Sequence, residues 1–167
     1  MPFFQDKEKA ALGLMPVAAR TKLGLRTHRT IKDVCGALIE KDGKFLVARR
    51  KPDDSFGGLW EFPGGGLEPG ERKKQCLERE IKEELGLDVR ARRLIRVFQD
   101  EIPGLKINVF LFECRIKKGI PRPLDCLDVR WVDLECLKKL KLAQADKKVL
   151  SWLLEKRKSG DKSKTKG

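Results

Sequence analysis

The segment 64–87 constrains this chain more than any other, because three consecutive glycines lead into an acidic, amphipathic pattern. Apolar residues recur along it with the i, i+4, i+8 spacing of one helix face, at Leu77, Ile81 and Leu85. The spacing predicts a helix over residues 73–85 that stops at Gly86, where we expect a left-handed cap. Because glycine lets the backbone approach closely and a helix N-terminus favours anions, the junction is typical of a phosphate-binding turn.

Four glutamates fall within seven residues of this helix, at Glu78, Glu80, Glu83 and Glu84. At about 100° per residue, the last three lie within an arc of roughly 100° beside the apolar stripe. Like charges at these spacings do not stabilise a helix. One interpretation is a solvated acidic face, balanced by neighbouring lysines and arginines. The other also explains the glycine run: a divalent cation that bridges the carboxylates to a pyrophosphate, since Mg²⁺ takes oxygen ligands of both kinds.

The composition argues against several kinds of chemistry. A single histidine, His28, makes nucleophilic triads, haem ligation and Cys/His zinc sites unexpected, so acid and base roles should fall to carboxylates. The five cysteines are odd in number and have no C-x-x-C spacing. We therefore expect reduced, small core residues and a cytoplasmic protein. No apolar run approaches the ~18 residues of a membrane span, so no membrane partner is expected.

The formal net charge of +13 comes mostly from the two ends of the chain. Residues 1–30 carry six basic and two acidic side chains, and residues 156–167 carry six basic and one acidic. We expect an N-terminal extension over 1–30, one domain over 31–156 and a basic, disordered tail over 157–167. Because the excess charge does not follow a folded face with interleaved aromatic residues, no stable nucleic-acid complex is expected.

The rest of the chain alternates strand and helix patterns. Strands are predicted at 34–39, 45–48, 59–62, 89–97, 107–116 and 129–132, with a hairpin turn at Asp42-Gly43. Helices are predicted at 134–141 and 146–156. The order strands, helix, strands, helix predicts an α/β (α+β) sandwich, in which a mixed sheet is flanked by helices on both faces.

The segment described first resembles the signature of the Nudix hydrolases. Written G-x5-E-x7-R-E-U-x-E-E-x-G-U, with U aliphatic, that signature is matched at Gly65, Glu71, Arg79, Glu80, Ile81, Glu83, Glu84, Gly86 and Leu87. The resemblance extends from about residue 32 to 154. The sequences GLWEFPGG before the signature, RW at 130–131 and LAQADKKVL at 142–150 are similar to the MutT-like branch. That branch cleaves nucleoside triphosphates to the monophosphate and pyrophosphate, and the resemblance implies the Nudix fold.

The resemblance implies a metal site for Mg²⁺, with Mn²⁺ as an alternative. Its principal ligands would be Glu83 and Glu84, joined by the backbone carbonyl of Gly64. The family commonly places a further acid six residues before the tryptophan of the RW pair, and here that residue is Asp125. Asp reaches less far than the usual Glu, so ligation through a water molecule is an open alternative.

Further residues of the signature have implied roles in catalysis and support. Glu80 resembles the residue that activates water as a general base or shares a metal. Arg79 would orient the carboxylates by charge-assisted hydrogen bonds. Glu71 would brace the loop against the helix, and Gly86 is a structural member of the signature.

The substrate-binding residues implied by the resemblance are Arg50, Glu61, Gly65 and Asp146. Arg50 matches a position that contacts phosphate. Many MutT-like proteins have lysine where this chain has Gly66, so either Lys51 or a second metal is expected to replace that cation.

Asp146 matches a position that hydrogen-bonds the nucleobase, although an aspartate there also suits a helix cap. A carboxylate would accept from the N1–H and N2 amine of guanine or from the N4 amine of cytosine. The expected substrate is 8-oxo-dGTP or another modified dNTP, with CTP or a modified dCTP next. Trp60 and Phe98 are candidates for base stacking or for the core.

Other functions stay open at this stage. Less favoured substrates are ADP-ribose and dinucleoside polyphosphates. A decapping-type enzyme would use the arginines of 90–96, and a nucleotide-binding regulator without activity would be expected to lack one of Glu80, Glu83 or Glu84. We expect a nucleotide as the partner and a monomer or homodimer as the assembly.

Overall fold

The structure, a computed structural model, describes residues 30–54, 56–102 and 105–161. The expected N-terminal extension therefore falls outside the described residues apart from its last position, and so does His28. Residues 162–167 of the expected tail and the centre of the turn between 102 and 105 also lie outside. Within the described part, no helix is long and apolar enough to cross a membrane.

The described chain is a mixed α and β structure. Its elements in order are β1 (Thr30–Lys41), β2 (Lys44–Arg49), β3 (Trp60–Glu61), β4 (Gly64–Gly66), α1 (Lys73–Leu85), β5 (Asp88–Ile102), β6 (Leu105–Lys118), β7 (Asp128–Val132), α2 (Leu134–Leu137) and α3 (Gln144–Asp161). The strand order is β3-β2-β1-β6-β5, with β4 paired to β1 and β7 paired to β2. Only β1 and β6 run parallel among the described pairs; the others are antiparallel.

Helices cover both faces of this sheet, because successive side chains of a strand point to opposite faces. Cys35, Ala37 and Ile39 of β1 pack against the buried face of α1. Leu38 of the same strand belongs to the second core cluster, which contains Val149 of α3. The predicted fold class is confirmed: a mixed sheet lies between helices.

The turn and cap signals are also confirmed. Asp42 and Gly43 have φ angles of 51° and 73°, the left-handed values that a tight hairpin between β1 and β2 needs. Helix α1 spans the predicted residues 73–85. It ends at Gly86, which has φ 68° and donates its N–H to the Lys82 carbonyl at 3.0 Å.

The C-terminal helices differ from the prediction. The helix predicted over 134–141 ends at Leu137, and turn hydrogen bonds follow at Lys139 and Leu140. The chain turns there because Leu142, which is 3% exposed, enters the core. The last helix begins at residue 144 rather than 146 and continues to Asp161, so residues 157–161 of the expected tail are helical.

Candidate active site

A pocket of about 450 Å³ opens beside the glycine strand β4. We call it the carboxylate pocket, because its lining includes eight acidic side chains: Asp54, Glu61, Glu80, Glu83, Glu84, Asp100, Asp125 and Asp146. The basic side chains in the lining are Lys32 and Arg50. This excess of carboxylates suits a site that holds a cation.

Glycine is required in β4 because the strand passes very close to helix α1. A Cβ atom on Gly65 would lie 2.2 Å from the carboxyl carbon of Glu80. One residue earlier, the Gly64 N–H donates to Glu84 Oε2 at 3.4 Å. The glycine run and the acidic helix, adjacent in the sequence, therefore form one site in which backbone and carboxylates are in direct contact.

Arg79 holds several of these carboxylates in place. Its Nε and Nη2 donate to the two oxygens of Glu71, at 2.8 and 3.0 Å. Its Nη1 donates to Glu80 at 2.9 Å and to Glu83 at 3.1 Å. The hydrogen bonds from Arg79 lower the pKa of Glu71 to about 2. Glu71, which precedes the helix, also accepts from the N–H of Glu68 at 3.2 Å. Through Glu71, Arg79 of the helix is therefore tied to the loop.

The surroundings of Glu84, to which Arg79 donates no hydrogen bond in the described part of the chain, shift its pKa strongly. Burial raises its pKa to about 8, and repulsion from Glu61 and Glu80 acts in the same direction. A bound cation would stabilise the charged form of this carboxylate. Among the described residues, no three acidic, histidine or cysteine side chains form a complete metal cage. Mg²⁺ is commonly held by one or two protein carboxylates together with water and phosphates, and the half-buried Glu84 carboxylate beside the glycine strand could supply one of them.

Two of the expected substrate-binding residues contact each other. Arg50 Nη1 donates to both oxygens of Glu61, at 3.0 and 2.9 Å, and Arg50 lies 3.8 Å from Asp54. Burial raises the pKa of Glu61 even though Arg50 opposes the shift. Lys51, which is one of two candidate replacements for the missing cation, the other being a second metal, is paired with Asp125 at the rim of the pocket. Neither pairing could be read from the sequence, because the partners are separated along the chain.

Asp146 lies inside helix α3, in its first turn, two residues after the helix begins. Its carboxylate accepts a hydrogen bond from the Phe62 N–H at 2.8 Å. Burial is the main cause that raises its pKa to about 8, and the charge of Glu61 adds to it. A half-buried carboxyl group that holds a proton at neutral pH both donates and accepts hydrogen bonds. The pocket floor near it is apolar and includes Val109, Leu111 and Val149.

The two aromatic candidates belong to the core. Trp60 is 6% exposed and Phe98 is 8% exposed, and both pack in the second cluster. Sequence reasoning missed several pocket residues, among them Lys32, Phe56 and Asp100. Asp100 is paired with Lys148 of α3 at 2.9 Å. No local pattern marks these residues, because the parallel pairing of β1 with β6 and the docking of α3 bring them together.

Comparisons with known proteins agree with this geometry. The family model described as "NUDIX domain" matches residues 29–153. The chain is 42% identical over 77 residues to a protein of Escherichia coli (strain K12) named CTP pyrophosphohydrolase. That match covers 46% of this chain and 57% of the relative, so it spans little more than half of the relative's length.

A second relative and a solved structure extend the likeness. A Proteus vulgaris protein named 8-oxo-dGTP diphosphatase is 36% identical over 77 residues, which are 46% of this chain and 69% of that protein. The solution structure of the E. coli ORF135 protein is 32% identical and has a TM-score of 0.67. The match covers 77% of this chain and 91% of the chain in that structure, so the likeness in structure includes most of the described sheet and helices.

Proposed function

Because this chain belongs to the Nudix hydrolase family, we propose that it hydrolyses a nucleoside triphosphate to the nucleoside monophosphate and pyrophosphate. The observation that carries the proposal is the contact between β4 and helix α1, where Gly64 meets Glu84 and Gly65 meets Glu80. A phosphate chain along the glycine backbone would lie directly against these carboxylates. The two relatives named for pyrophosphohydrolase and diphosphatase activity support the same reaction class.

The reaction is proposed to depend on Mg²⁺, with Mn²⁺ as a substitute. Glu83, Glu84 and the Gly64 carbonyl are the proposed ligands, and Asp125 is a further ligand at the rim. The half-buried position of Glu84 and its raised pKa support this assignment. A cation bound there would neutralise phosphate oxygens and orient the attacking water. To reach the metal, Asp125 would have to leave its ion-pair partner Lys51.

Glu80 is proposed to take the proton from the attacking water, or else to share the metal. Its Oε1 is fixed by Arg79 at 2.9 Å, and its carboxyl group faces the Gly65 backbone. Arg79 would therefore position the base rather than contact the substrate. Glu71 is proposed to hold Arg79 in that orientation, and Gly65 to let the substrate reach the carboxylate.

The nucleobase is proposed to bind at Asp146, above the apolar floor formed by Val109, Leu111 and Val149. A protonated carboxyl group donates and accepts, so it matches a base edge that offers an acceptor next to a donor. Both 8-oxoguanine and cytosine offer such an edge. We propose 8-oxo-dGTP or another modified dNTP as the substrate, in cytoplasmic sanitising of the nucleotide pool. CTP is the second candidate, because the 42% identical relative is named for it.

A nucleotide panel tests this function. Purified protein with Mg²⁺ would be given 8-oxo-dGTP, dGTP, CTP, dCTP, ADP-ribose and a dinucleoside polyphosphate, and kcat/KM would be measured for each. We expect one triphosphate to exceed ADP-ribose and the dinucleotide by at least about tenfold, with pyrophosphate as a product. A preference for ADP-ribose, or no turnover of any triphosphate, would contradict the proposal.

A further inference from the structure

Among the residues that the structure describes, Lys32 differs from Arg50 and Lys51 near the carboxylate pocket in having no acidic partner. Arg50, the second basic residue of the lining, is bound by Glu61. At the rim, Lys51 is bound by Asp125. In the part of the chain that the structure describes, the Lys32 ammonium has no ion-pair partner. The positive charge of Lys32 is therefore available to an anionic ligand in the pocket.

The side chain of Lys32 fills the space beside Gly66. A Cβ atom placed on Gly66 would lie 3.2 Å from Lys32 Cε and 3.7 Å from its Nζ. Strand β1 pairs with β4 so that Val34 is opposite Gly66. Lys32 precedes Val34 by two residues, so its side chain lies on the same face of β1. A Cβ atom at position 66 would therefore press against the end of the Lys32 side chain, which places the ammonium directly beside the Gly66 backbone.

The segment 62–66 lines the pocket: it bends at Pro63 and continues as the extended strand β4. The side chains that meet it in sequence order are Asp146 at Phe62, Glu84 at Gly64, Glu80 at Gly65 and Lys32 at Gly66. Within β4 the chain advances about 3.3 Å per residue, so Lys32 at Gly66 lies beyond the contacts of Glu84 with Gly64 and of Glu80 with Gly65. Asp146 meets the segment at its other end, at Phe62.

We propose that Lys32 binds the β and γ phosphates of the substrate, the part that leaves as pyrophosphate. This inference rests on the proposed function, because a base at Asp146 and an α phosphate at the glutamates direct the remaining phosphates toward Gly66. In a pocket lined mostly by acids, a polyphosphate requires cations, and Lys32 supplies one from the protein itself. An ammonium there stabilises the negative charge of these two phosphates.

Binding of inorganic pyrophosphate tests the inference without turnover. Calorimetry with Mg²⁺ present would compare the protein with Lys32→Met, and Lys41→Met would serve as the control. Lys41 is an exposed lysine at the far end of the same strand. We expect Lys32→Met to weaken pyrophosphate binding by about 10-fold to 100-fold, the usual contribution of a charge-assisted contact. Binding of the nucleoside monophosphate should change less than about twofold.

A second variant moves the charge within the same space. Adding Gly66→Lys to Lys32→Met places a lysine where its Cβ points at the vacated position. We expect pyrophosphate affinity to return to within about fivefold of the original. The inference is overturned if Lys32→Met leaves pyrophosphate affinity unchanged, or if it weakens monophosphate binding equally. It is also overturned if the double variant folds normally and binds as weakly as the single variant.

The two proposals fail in different ways. If the unaltered protein turns over no triphosphate but loses pyrophosphate affinity in Lys32→Met, the proposed function fails and the phosphate contact stands. If the protein cleaves a triphosphate and Lys32→Met retains full kcat/KM and pyrophosphate affinity, only the role of Lys32 fails.

Discussion

Two cavities of this protein use different residues of helix α1, and the larger one is the less suited to catalysis. The second cavity, of about 1210 Å³, lies between α1 and β5. We call it the basic groove, after its lining of Arg72, Lys73, Lys74, Arg90, Arg92 and Arg93. The carboxylate pocket is about 450 Å³ and is lined mainly by acids. Neither volume nor net positive charge therefore identifies where the phosphate chemistry should occur.

Two carboxylates of the basic groove and two of the carboxylate pocket have opposite pKa shifts. In the basic groove, Arg79 lowers the pKa of Glu71 and Arg93 lowers the pKa of Glu113. In the carboxylate pocket, burial raises the pKa of Glu84 and of Asp146 to about 8. Glu71 and Glu113 are satisfied by ion pairs with arginine, whereas Glu84 and Asp146 accept backbone hydrogen bonds and form no ion pair among the described residues. Such raised pKa values in a pocket are typical of functional sites.

The largest expected effect comes from exchanging one glutamate on each face of α1. Glu84→Gln in the pocket should lower kcat by roughly 10³-fold or more, because it removes a proposed metal ligand. Glu78→Gln in the groove is the matched control. Glu78 accepts the Ala91 N–H at 2.9 Å, and a glutamine oxygen can accept it too. Steady-state kinetics would measure both variants. Equal losses, or none in Glu84→Gln, would contradict the distinction between the cavities.

A methyl group on the glycine strand should have the next largest effect. Gly65→Ala places a carbon 2.2 Å from the Glu80 carboxyl group, so Glu80 must leave Arg79 or the strand must shift. We expect kcat to fall by about 10-fold to 100-fold and the protein to lose about 1–3 kcal/mol of stability. For stability, Gly36→Ala is the control, since its added carbon would meet Leu111 at an ordinary 3.7 Å. Unchanged kinetics and melting temperature in Gly65→Ala would contradict this contact.

The opposite pKa shifts predict opposite effects of pH on stability. Asp146 titrates near 4 when unfolded and near 8 when folded, so its contribution is complete below about pH 4 and is lost as pH rises to about 8. Glu71 titrates near 4.5 when unfolded and near 2 when folded, so its contribution is present above about pH 4.5 and is lost as pH falls toward 2.

Melting temperatures of the metal-free protein between pH 3 and pH 9 would test these signs. Asp146→Asn should flatten the decline between pH 5 and pH 8, while the asparagine oxygen still accepts the Phe62 N–H. Glu71→Gln should flatten the acidic side instead. Shifts of a few degrees are expected. If Asp146→Asn altered the acidic side of the profile, or Glu71→Gln altered the decline between pH 5 and pH 8, the assigned surroundings of that carboxylate would be incorrect.

The smallest expected effect belongs to the basic groove. Replacing Arg90 and Arg92 together by glutamine removes two cations from the groove and leaves the carboxylate pocket intact. We expect kcat/KM for the best nucleotide to change by less than about twofold, which is the scale of screened surface charge. A loss of tenfold or more would show that the groove takes part in substrate binding.

The local features of the fold could be predicted from the sequence. Helix α1, its end at Gly86 and the Asp42-Gly43 hairpin follow from periodicity and glycine chemistry, which act between near neighbours. The three-residue glycine strand β4 could not be predicted from the sequence, because glycine has no side chain that could form an alternating pattern. The parallel pairing of β1 with β6 also escaped prediction, since it joins residues about 75 positions apart, such as Val34 and Val109.

The same limit applies to the site. The glutamates of one helix and the glycines before it could be predicted as a group, because they are contiguous. The pairing of Arg50 with Glu61 and the contact of Asp146 with Phe62 depend on the tertiary fold. Lys32 gave no signal in the sequence, because its significance depends on the empty space beside Gly66.

Product analysis by ³¹P NMR tests the central claim most directly. The protein would be incubated with Mg²⁺ and its preferred triphosphate, with Glu84→Gln and a sample containing EDTA run in parallel. We predict equal amounts of nucleoside monophosphate and pyrophosphate from the unaltered protein, and neither from the other two samples. Release of orthophosphate and a nucleoside diphosphate, or full activity in Glu84→Gln, would contradict metal-dependent pyrophosphohydrolysis in the carboxylate pocket.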